Sequence, residues 1–230
     1  MTPERNIKQI EEWSSTTFKE VVFDSDIDDW SKDTSTFDQK IFNREKLTFI
    51  MEDTEGNVFG GFVNAKIDKY VYCEYGEWKG SKITDKNAFV FSLRSNGRLK
   101  EPMKFDFKSE NRDWAFQLQK SIDDYLFVFG GGNDIRINKE NSKSECYCNE
   151  ESFDYQGKKK VLVGKEKWCR YTVQRIQVWQ MYETDEQKRK REEREKQEEI
   201  EQQKKYDEET MKLSNQNERN INGNDGRTKK

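Results

Sequence analysis

The sequence predicts a mainly β, α+β protein: an antiparallel two-sheet β-sandwich with short flanking helices, continued by a C-terminal charged single helix. Three observations carry this. From Leu47 onward the apolar residues follow the two-residue period of strands for roughly a hundred residues. The strand-like runs are short, aromatic-rich and separated by Gly, Asn and Asp turns with no helical stretch between them, the pattern of a sandwich and not of a parallel sheet. After Tyr182 the apolar residues almost stop: Ile200, Tyr206, Met211, Leu213 and Ile221 are all that residues 183–230 contain. The whole-chain averages, 32% hydrophobic and 38% charged with a mean hydropathy of -1.21, therefore mix two unlike segments. The expected division is a sandwich domain over 1–182, a charged helix over 183–213 and a disordered tail over 214–230.

Taken in order, Pro3 to Trp13 places Ile7, Ile10 and Trp13 on one face behind Thr2 as a cap and Pro3 at the first helical position, a short amphipathic helix. Glu20 to Asp24 reads as a strand running into the acidic turn Asp24-Ser-Asp-Ile-Asp-Asp-Trp30. A second helix is expected from about Thr34 to Asn43, where Phe37, Ile41 and Phe42 share a face and Asp33 or Ser35 serves as cap. Leu47–Asp53 and Val58–Val63 flank the turn-rich Thr54-Glu-Gly-Asn57 and form a hairpin. Further strands are expected at Ala88–Leu93, Met103–Phe107, Ala115–Leu118, Tyr125–Phe129, Ile135–Ile137 and, as one long alternating run, Arg170–Trp179. From Glu183 to Leu213 the chain is built from strong helix formers, with acid-before-base pairs at i,i+4 such as Glu186/Lys190 and Glu192/Lys196. Its apolar residues are too sparse for a coiled-coil seam, so a single α-helix and a monomeric protein are expected.

Composition removes whole classes of chemistry. The chain has no histidine, so no Ser-His-Asp triad, Cys-His dyad, His-ligated zinc or imidazole switch can be built. A net charge of -3 supplies no global positive field for nucleic acid, and no nucleic-acid partner is expected. No apolar run approaches the length of a membrane span and Met1 to Arg5 lacks a signal-peptide stretch, so a cytoplasmic location without membrane insertion is expected. In a reducing compartment Cys73, Cys146, Cys148 and Cys169 are expected to remain thiols.

Four motifs remain to be weighed. Asp24, Asp26 and Asp28 alternate as do the first ligands of a calcium loop, but Asp29 stands where that loop needs glycine and Ser35 where it needs glutamate. Turn and helix capping is the expected role of these carboxylates, with cation binding the alternative. Gly130-Gly-Gly132 follows a strand yet fits neither a dinucleotide nor a P-loop fingerprint, which points to a tight turn or close backbone approach. Cys146 and Cys148 lack the C-x₂-C spacing of zinc sites; two thiols on one strand face, open to oxidation, is the alternative. Lys188-Arg-Lys-Arg191 has the composition of a nuclear-import signal but lies among Asp185, Glu186, Glu192, Glu193 and Glu195, as a solvated helix face does.

The order of several blocks resembles a known family. Val21 to Ser31, Leu47-Thr-Phe-Ile through Phe62, Ala88 to Leu93, Phe127-Val-Phe-Gly-Gly-Gly-Asn-Asp-Ile135, Ser144 to Asn149 and Val173 to Trp179 together look like the TLDc domain, in the compact form found in amoebic protozoa, over roughly residues 5 to 182. The resemblance implies a curved two-sheet sandwich of the TLDc type, as in the oxidation-resistance proteins. It also implies a non-catalytic, regulatory protein-binding role in oxidative-stress response that includes regulation of the vacuolar proton-pumping ATPase through binding. It brings no catalytic residues, metal or cofactor with it. Two departures, Lys82 to Asn87 and Asp28-Asp29, are expected to lie in loops. The alternatives are a nuclear or nucleic-acid-associated regulator, through Lys188 to Arg191, and a His-independent enzyme built on carboxylates or a thiol.

Overall fold

The computed structural model describes residues 3–68, 71–72, 79–108, 114–119, 123–141, 146–166 and 170–224. The chain divides into two compact units, Met1–Tyr182 and Glu183–Lys230.

The first unit opens with α1 (Pro3–Ser14), then β1 (Thr17–Asp24), α2 (Phe37–Ile41), β2 (Leu47–Asp53) and β3 (Val58–Val63). There follow β4 (Val71–Tyr72), β5 (Lys79–Ile83), β6 (Phe89–Arg94), β7 (Met103–Asp106), β8 (Phe116–Gln119), β9 (Tyr125–Phe129), β10 (Ile135–Asn138), β11 (Cys146–Tyr147), β12 (Arg170–Tyr171) and β13 (Val173–Tyr182). One sheet runs β1-β13-β2-β3-β6-β7 and the other β12-β11-β10-β9-β8-β5-β4, antiparallel at every pairing between these strands. This is the two-sheet antiparallel architecture expected from the strand period.

Between the sheets lies an aromatic core. Phe49 from β2 meets Phe116, Phe127 and Phe129 from the facing sheet with ring centroids 4.9, 4.9 and 5.5 Å apart, and Phe37 of α2 stacks on Phe127 at 5.5 Å. Edge-to-face and tilted pairs of this kind add to the burial term. A second apolar cluster lies on the outer face of the six-stranded sheet, where Ile10 and Trp13 of α1 cover Ile50, Phe62, Phe89, Phe91, Trp179 and Met181. That cover explains why every residue of Val58–Val63 is buried: β3 is enclosed on both faces. Two glycines permit it. A Cβ on Gly61 would strike the Phe129 ring 2.5 Å away, and one on Gly60 would collide with the carbonyl oxygen of Phe49 in β2.

Several expectations need correction. The run Arg170–Trp179 is two strands: at Thr172 the chain leaves the seven-stranded sheet and enters the six-stranded one. A register shift between Val173 and Arg175 then places Val173, Ile176 and Val178 in the inner core, whereas Trp179 and Met181 face outward, so strict alternation cannot separate the two faces. The second helix is shorter than Thr34–Asn43, because Phe42 is extended and Asn43 takes φ +66°. Lys82 and Ile83 belong to β5 and not to a loop. Thr2 lies outside the described residues.

The second unit carries α3 (Asp185–Asn224), which continues past Leu213 where a disordered tail is expected. No proline follows Pro102 and no glycine interrupts it before Gly223. Forty residues at about 1.5 Å each make a helix about 60 Å long. It starts on a capping box, the Gln187 amide donating to Thr184 Oγ1 at 3.2 Å and the Thr184 amide to Gln187 Oε1 at 2.9 Å. Glu186–Lys190, Arg191–Glu195 and Arg194–Glu198 close i,i+4 pairs along it. Among the described residues no helix is long and apolar enough to cross a membrane.

Candidate functional site

The polar groups that could carry chemistry are mostly spent on holding loops. Asp24, at the end of β1, takes Arg175 of β13 in a fork, Nη2 to Oδ2 at 2.7 Å and Nε to Oδ1 at 3.2 Å, with Gln177 Nε2 donating at 2.8 Å. Arg175 Nε also lies 3.0 Å from Asp26. Asp28 is drawn elsewhere, to Lys40 Nζ at 2.5 Å and to the amide of Asp24 at 3.0 Å. Burial alone would raise the Asp24 pKa, but the hydrogen bonds from Arg175, Gln177 and the Asp26 amide outweigh it and hold the carboxyl below its ordinary range. Asp24 and Asp26 thus share Arg175, whereas Asp28 turns to Lys40 and the Asp24 amide. Among the described residues, no group of three His, Cys, Asp or Glu side chains is placed to hold a metal.

The glycine run forms a turn built around Asp134, which is fully buried. Asp134 Oδ1 accepts from the amides of Glu151 and Ser152, both at 2.7 Å, and from the Tyr155 hydroxyl at 3.1 Å. Ser152 Oγ accepts from the Gly132 amide at 2.9 Å and Asn149 Nδ2 donates to the Gly132 carbonyl at 2.6 Å. Gly130 has φ +71°, and a Cβ there would strike Asp134 Oδ2. Burial pushes the Asp134 pKa up against these hydrogen bonds. Glu150, raised by burial as well, gathers the amides of Lys160 and Val161 at 2.6 and 2.7 Å. The turn is held from within by Asp134, Asn149 and Ser152.

Asp53 and Asp85 repeat the device. Asp53, 1% exposed, accepts from the amides of Glu55 and Asn57 and from Asn57 Nδ2 at 2.7 Å. Arg98 then joins Asn57 Oδ1 at 2.7 Å to the Lys160 carbonyl at 2.8 Å. Asp85 accepts from Asn64, Ala65 and Asn87 amides at 2.6, 2.9 and 2.9 Å. A buried acid with several amide donors leaves its solvated cousins unchanged in sequence, so nothing in the residue pattern distinguishes Asp53, Asp85, Asp134 or Glu150.

Cys146 and Cys148 are both buried and free of disulfide. Burial drives the Cys148 pKa well above that of an ordinary thiol, although the Tyr171 hydroxyl beside it pulls the other way. The Cys146 thiol accepts the Asn138 amide at 3.2 Å. Cys73 and Cys169, the other members of a four-thiolate site, lie outside the described residues. In the basic tetrapeptide, Arg191 is held by Glu183 at 2.7 Å and Glu195 at 3.0 Å, and Lys190 by Glu186 at 2.6 Å.

Among the described residues, the cavities that open on the domain include two. One of about 210 Å³ lies on the outer face of the six-stranded sheet, bordered by Asn6, Glu52, Arg94, Arg175 and Trp179. The other, about 270 Å³, is bordered by Trp30, Asn138, Lys139, Cys146, Tyr171 and Val173. The exposed apolar side chains of the domain include Ile27, 85% exposed at the tip of the acidic turn, with Val21 behind it on β1.

Two antiparallel sheets around one aromatic core, an amphipathic helix on the outer face and loops clasped by buried carboxylates define a β-sandwich domain. The chain matches the TLDc domain over residues 5–182 and belongs to the TLDc domain family, a family linked to oxidative stress. No curated protein matches it significantly.

Proposed function

We propose that the protein is a non-catalytic TLDc interaction module of the oxidative-stress response that regulates the vacuolar proton-pumping ATPase by binding it in the cytoplasm. The observation that carries this reading is the TLDc match across residues 5–182, the span of the folded sandwich. Two features support binding over turnover. The buried carboxylates are committed to loop amides or to Arg175, and the acidic turn, held to β13 through Asp24, presents Ile27 to solvent between Asp26 and Asp28. The pairing of Arg191 and Lys190 with glutamates weighs against the nuclear alternative, since half of the basic tetrapeptide is already neutralised.

Affinity capture of the full chain from cell lysate, with and without peroxide, tests the reading by mass spectrometry of the bound proteins. Reproducible recovery of pump subunits is expected, with Ile27→Asp reducing the yield at unchanged thermal stability. Repeated capture without any pump subunit refutes the ATPase role.

A further inference from the structure

The register of the seven-stranded sheet lines up one row of residues across its strands. Arg170 of β12 pairs with Tyr147 of β11, Tyr147 with Arg136 of β10, Arg136 with Val128 of β9, Val128 with Gln117 of β8 and Gln117 with Lys82 of β5. Residues paired in this way share a face of the sheet. Because Phe116, Phe127, Phe129, Ile135 and Ile137 point into the core, the row lies on the outer face. It contains cations at Arg170, Arg136 and Lys82 and no carboxylate.

Two of these cations are set against aromatic rings and not against acids. The Arg136 guanidinium lies 4.2 Å from the Tyr125 ring centre and 5.2 Å from that of Tyr147, inside the roughly 6 Å reach of a cation–π contact. Tyr125 comes to this face because the ladder slips at Leu126: Ile137 pairs with Phe127, but Asn138 pairs with Tyr125. Arg136 Nη1 donates to Tyr147 Oη at 2.8 Å and Nε is closed off, which leaves Nη2 unengaged. Lys82 is exposed, with Nζ 5.5 Å from the centre of the Trp114 ring. Asp123, just ahead of β9, acts on Tyr125 through its charge, but among the described residues neither Arg136 nor Lys82 forms an ion pair with it or with any other acid. Arg44, Arg94 and Arg175, by contrast, each reach a carboxylate.

Val128 and Gln117, between the two cations, are buried, so a partner meets this face at two points and not along the whole row. Three strand spacings separate β5 from β10, about 14 Å in all, close to the span of about 13 Å between side chains four residues apart on one face of an extended chain. A guanidinium held between two rings loses little freedom on binding, and Arg, Tyr and Trp are the usual anchors of protein interfaces. Incoming carboxylates supply the counter-charge that the fold withholds. In a protein of net charge -3, these cations are too few for the multiple phosphate neutralisation that nucleic acid requires. From the ring-backed, acid-free Arg136 and Lys82, we propose that the outer face of the seven-stranded sheet binds an extended acidic segment of a partner protein, with carboxylates four residues apart on the two cations.

The test is an NMR titration of the full chain at about 50 mM salt with a blocked heptapeptide of alternating glutamate and serine. The same peptide with glutamine for glutamate is the neutral comparator. The Arg136 side-chain Nε–Hε resonance and the ring protons of Tyr125 and Tyr147 are expected to shift, with a Kd on the order of 1 mM or tighter, and the glutamine peptide to bind at least about tenfold more weakly. Arg136→Gln should weaken the acidic peptide by about tenfold and Lys82→Gln by about threefold. Lys82 is exposed, and the wild-type resonances are read on the unaltered chain, so neither readout depends on how Arg136→Gln folds. Arg136 and tyrosine resonances that stay fixed, equal binding of the glutamine peptide, or an affinity unchanged in Lys82→Gln each overturns the proposal. Tighter binding of a hexauridylate RNA than of the acidic peptide also overturns it, in favour of nucleic acid. The outcome is independent of capture of the proton pump.

Discussion

Replacing Arg175 by alanine isolates the clasp that ties the acidic turn to β13. The variant loses the fork on Asp24, at 2.7 and 3.2 Å, and the 3.0 Å contact with Asp26, while Gln177 and the Asp26 amide still reach Asp24. A hydrogen bond to a charged group contributes about 1.5–3 kcal/mol and an exposed ion pair about 0.2–1 kcal/mol. Here the Asp24 side chain is 11% exposed and the Arg175 side chain 43%, so a value of about 1.5–2 kcal/mol is expected, between those limits. For a domain of this size that is a loss of roughly 3–8 °C in Tm near neutral pH. The dependence on pH is the sharper signature. Because the Asp24 pKa is depressed in the folded chain, its contribution is present above the unfolded-state value and is lost as pH falls through the folded one. Melting curves of wild type and Arg175→Ala should therefore lie furthest apart near pH 7 and draw together from about pH 5 toward about pH 3. Other carboxylates titrate in both proteins and cancel in the difference. A gap that is absent at neutral pH, or that keeps its width on acidification, refutes the assignment.

Three further outcomes follow from the packing. Gly60→Ala should cost about 3 kcal/mol or more and Gly61→Ala about 1–3 kcal/mol in urea unfolding, since the first collides with a backbone carbonyl and the second with a side-chain ring; a negligible cost contradicts, for Gly60, its close approach to β2 and, for Gly61, its contact with the Phe129 ring of β9. Asp134→Asn should be far milder than Asp134→Ala, because an amide oxygen still accepts from Glu151 and Ser152 whereas alanine strands those donors at about 1–3 kcal/mol each. As burial raises the Asp134 pKa, the wild-type aspartate favours folding at low pH and loses that advantage as pH rises above its unfolded value, so Asp134→Asn should gain on wild type toward neutral pH in paired melts. Maleimide labelling of the native chain at neutral pH should leave Cys148 unmodified until denaturant is added, and rapid native labelling argues against its burial.

The parts of the fold visible in the residues are those where one local signal acts without competition. Leu47–Asp53 and Val58–Val63 combine β-branched and aromatic runs with a Glu-Gly-Asn turn, and the strands fall at those limits. Tyr125–Phe129 does the same between Asp124 and Gly130. At Arg170–Tyr182 the signal is equally strong, but a sheet change at Thr172 and a bulge after Val173 are set by which neighbours pair, a long-range fact that alternation does not encode. β11 is two residues long and gathers its stability from flanking strands, so its sequence carries no period to detect. The acidic turn was legible as a capping device, yet its partner Arg175 lies 151 positions away.

An acidic chain with a pI near 5.5 invites the search for metal or acid-base chemistry among its carboxylates. The buried ones follow a single logic instead. Asp53, Asp85, Asp134 and Glu150 each sit where a loop turns back and present carboxylate oxygens to two or three main-chain amides that no strand partner could reach. Asp24 does the same with one amide and a guanidinium. The arrangement has an energetic cost, since ionising a buried acid is unfavourable, and the upward shifts at Asp134 and Glu150 record it. What it secures is a set of loops with defined backbone positions at the sheet ends, which is what a binding surface needs and what a core made only of phenylalanine could not supply. A carboxylate with both oxygens accepting hydrogen bonds is a poor nucleophile, so stiff loops and catalytic acids compete for the same residues; in this domain Asp53, Asp85 and Glu150, with both oxygens so engaged, fall on the side of stiffness.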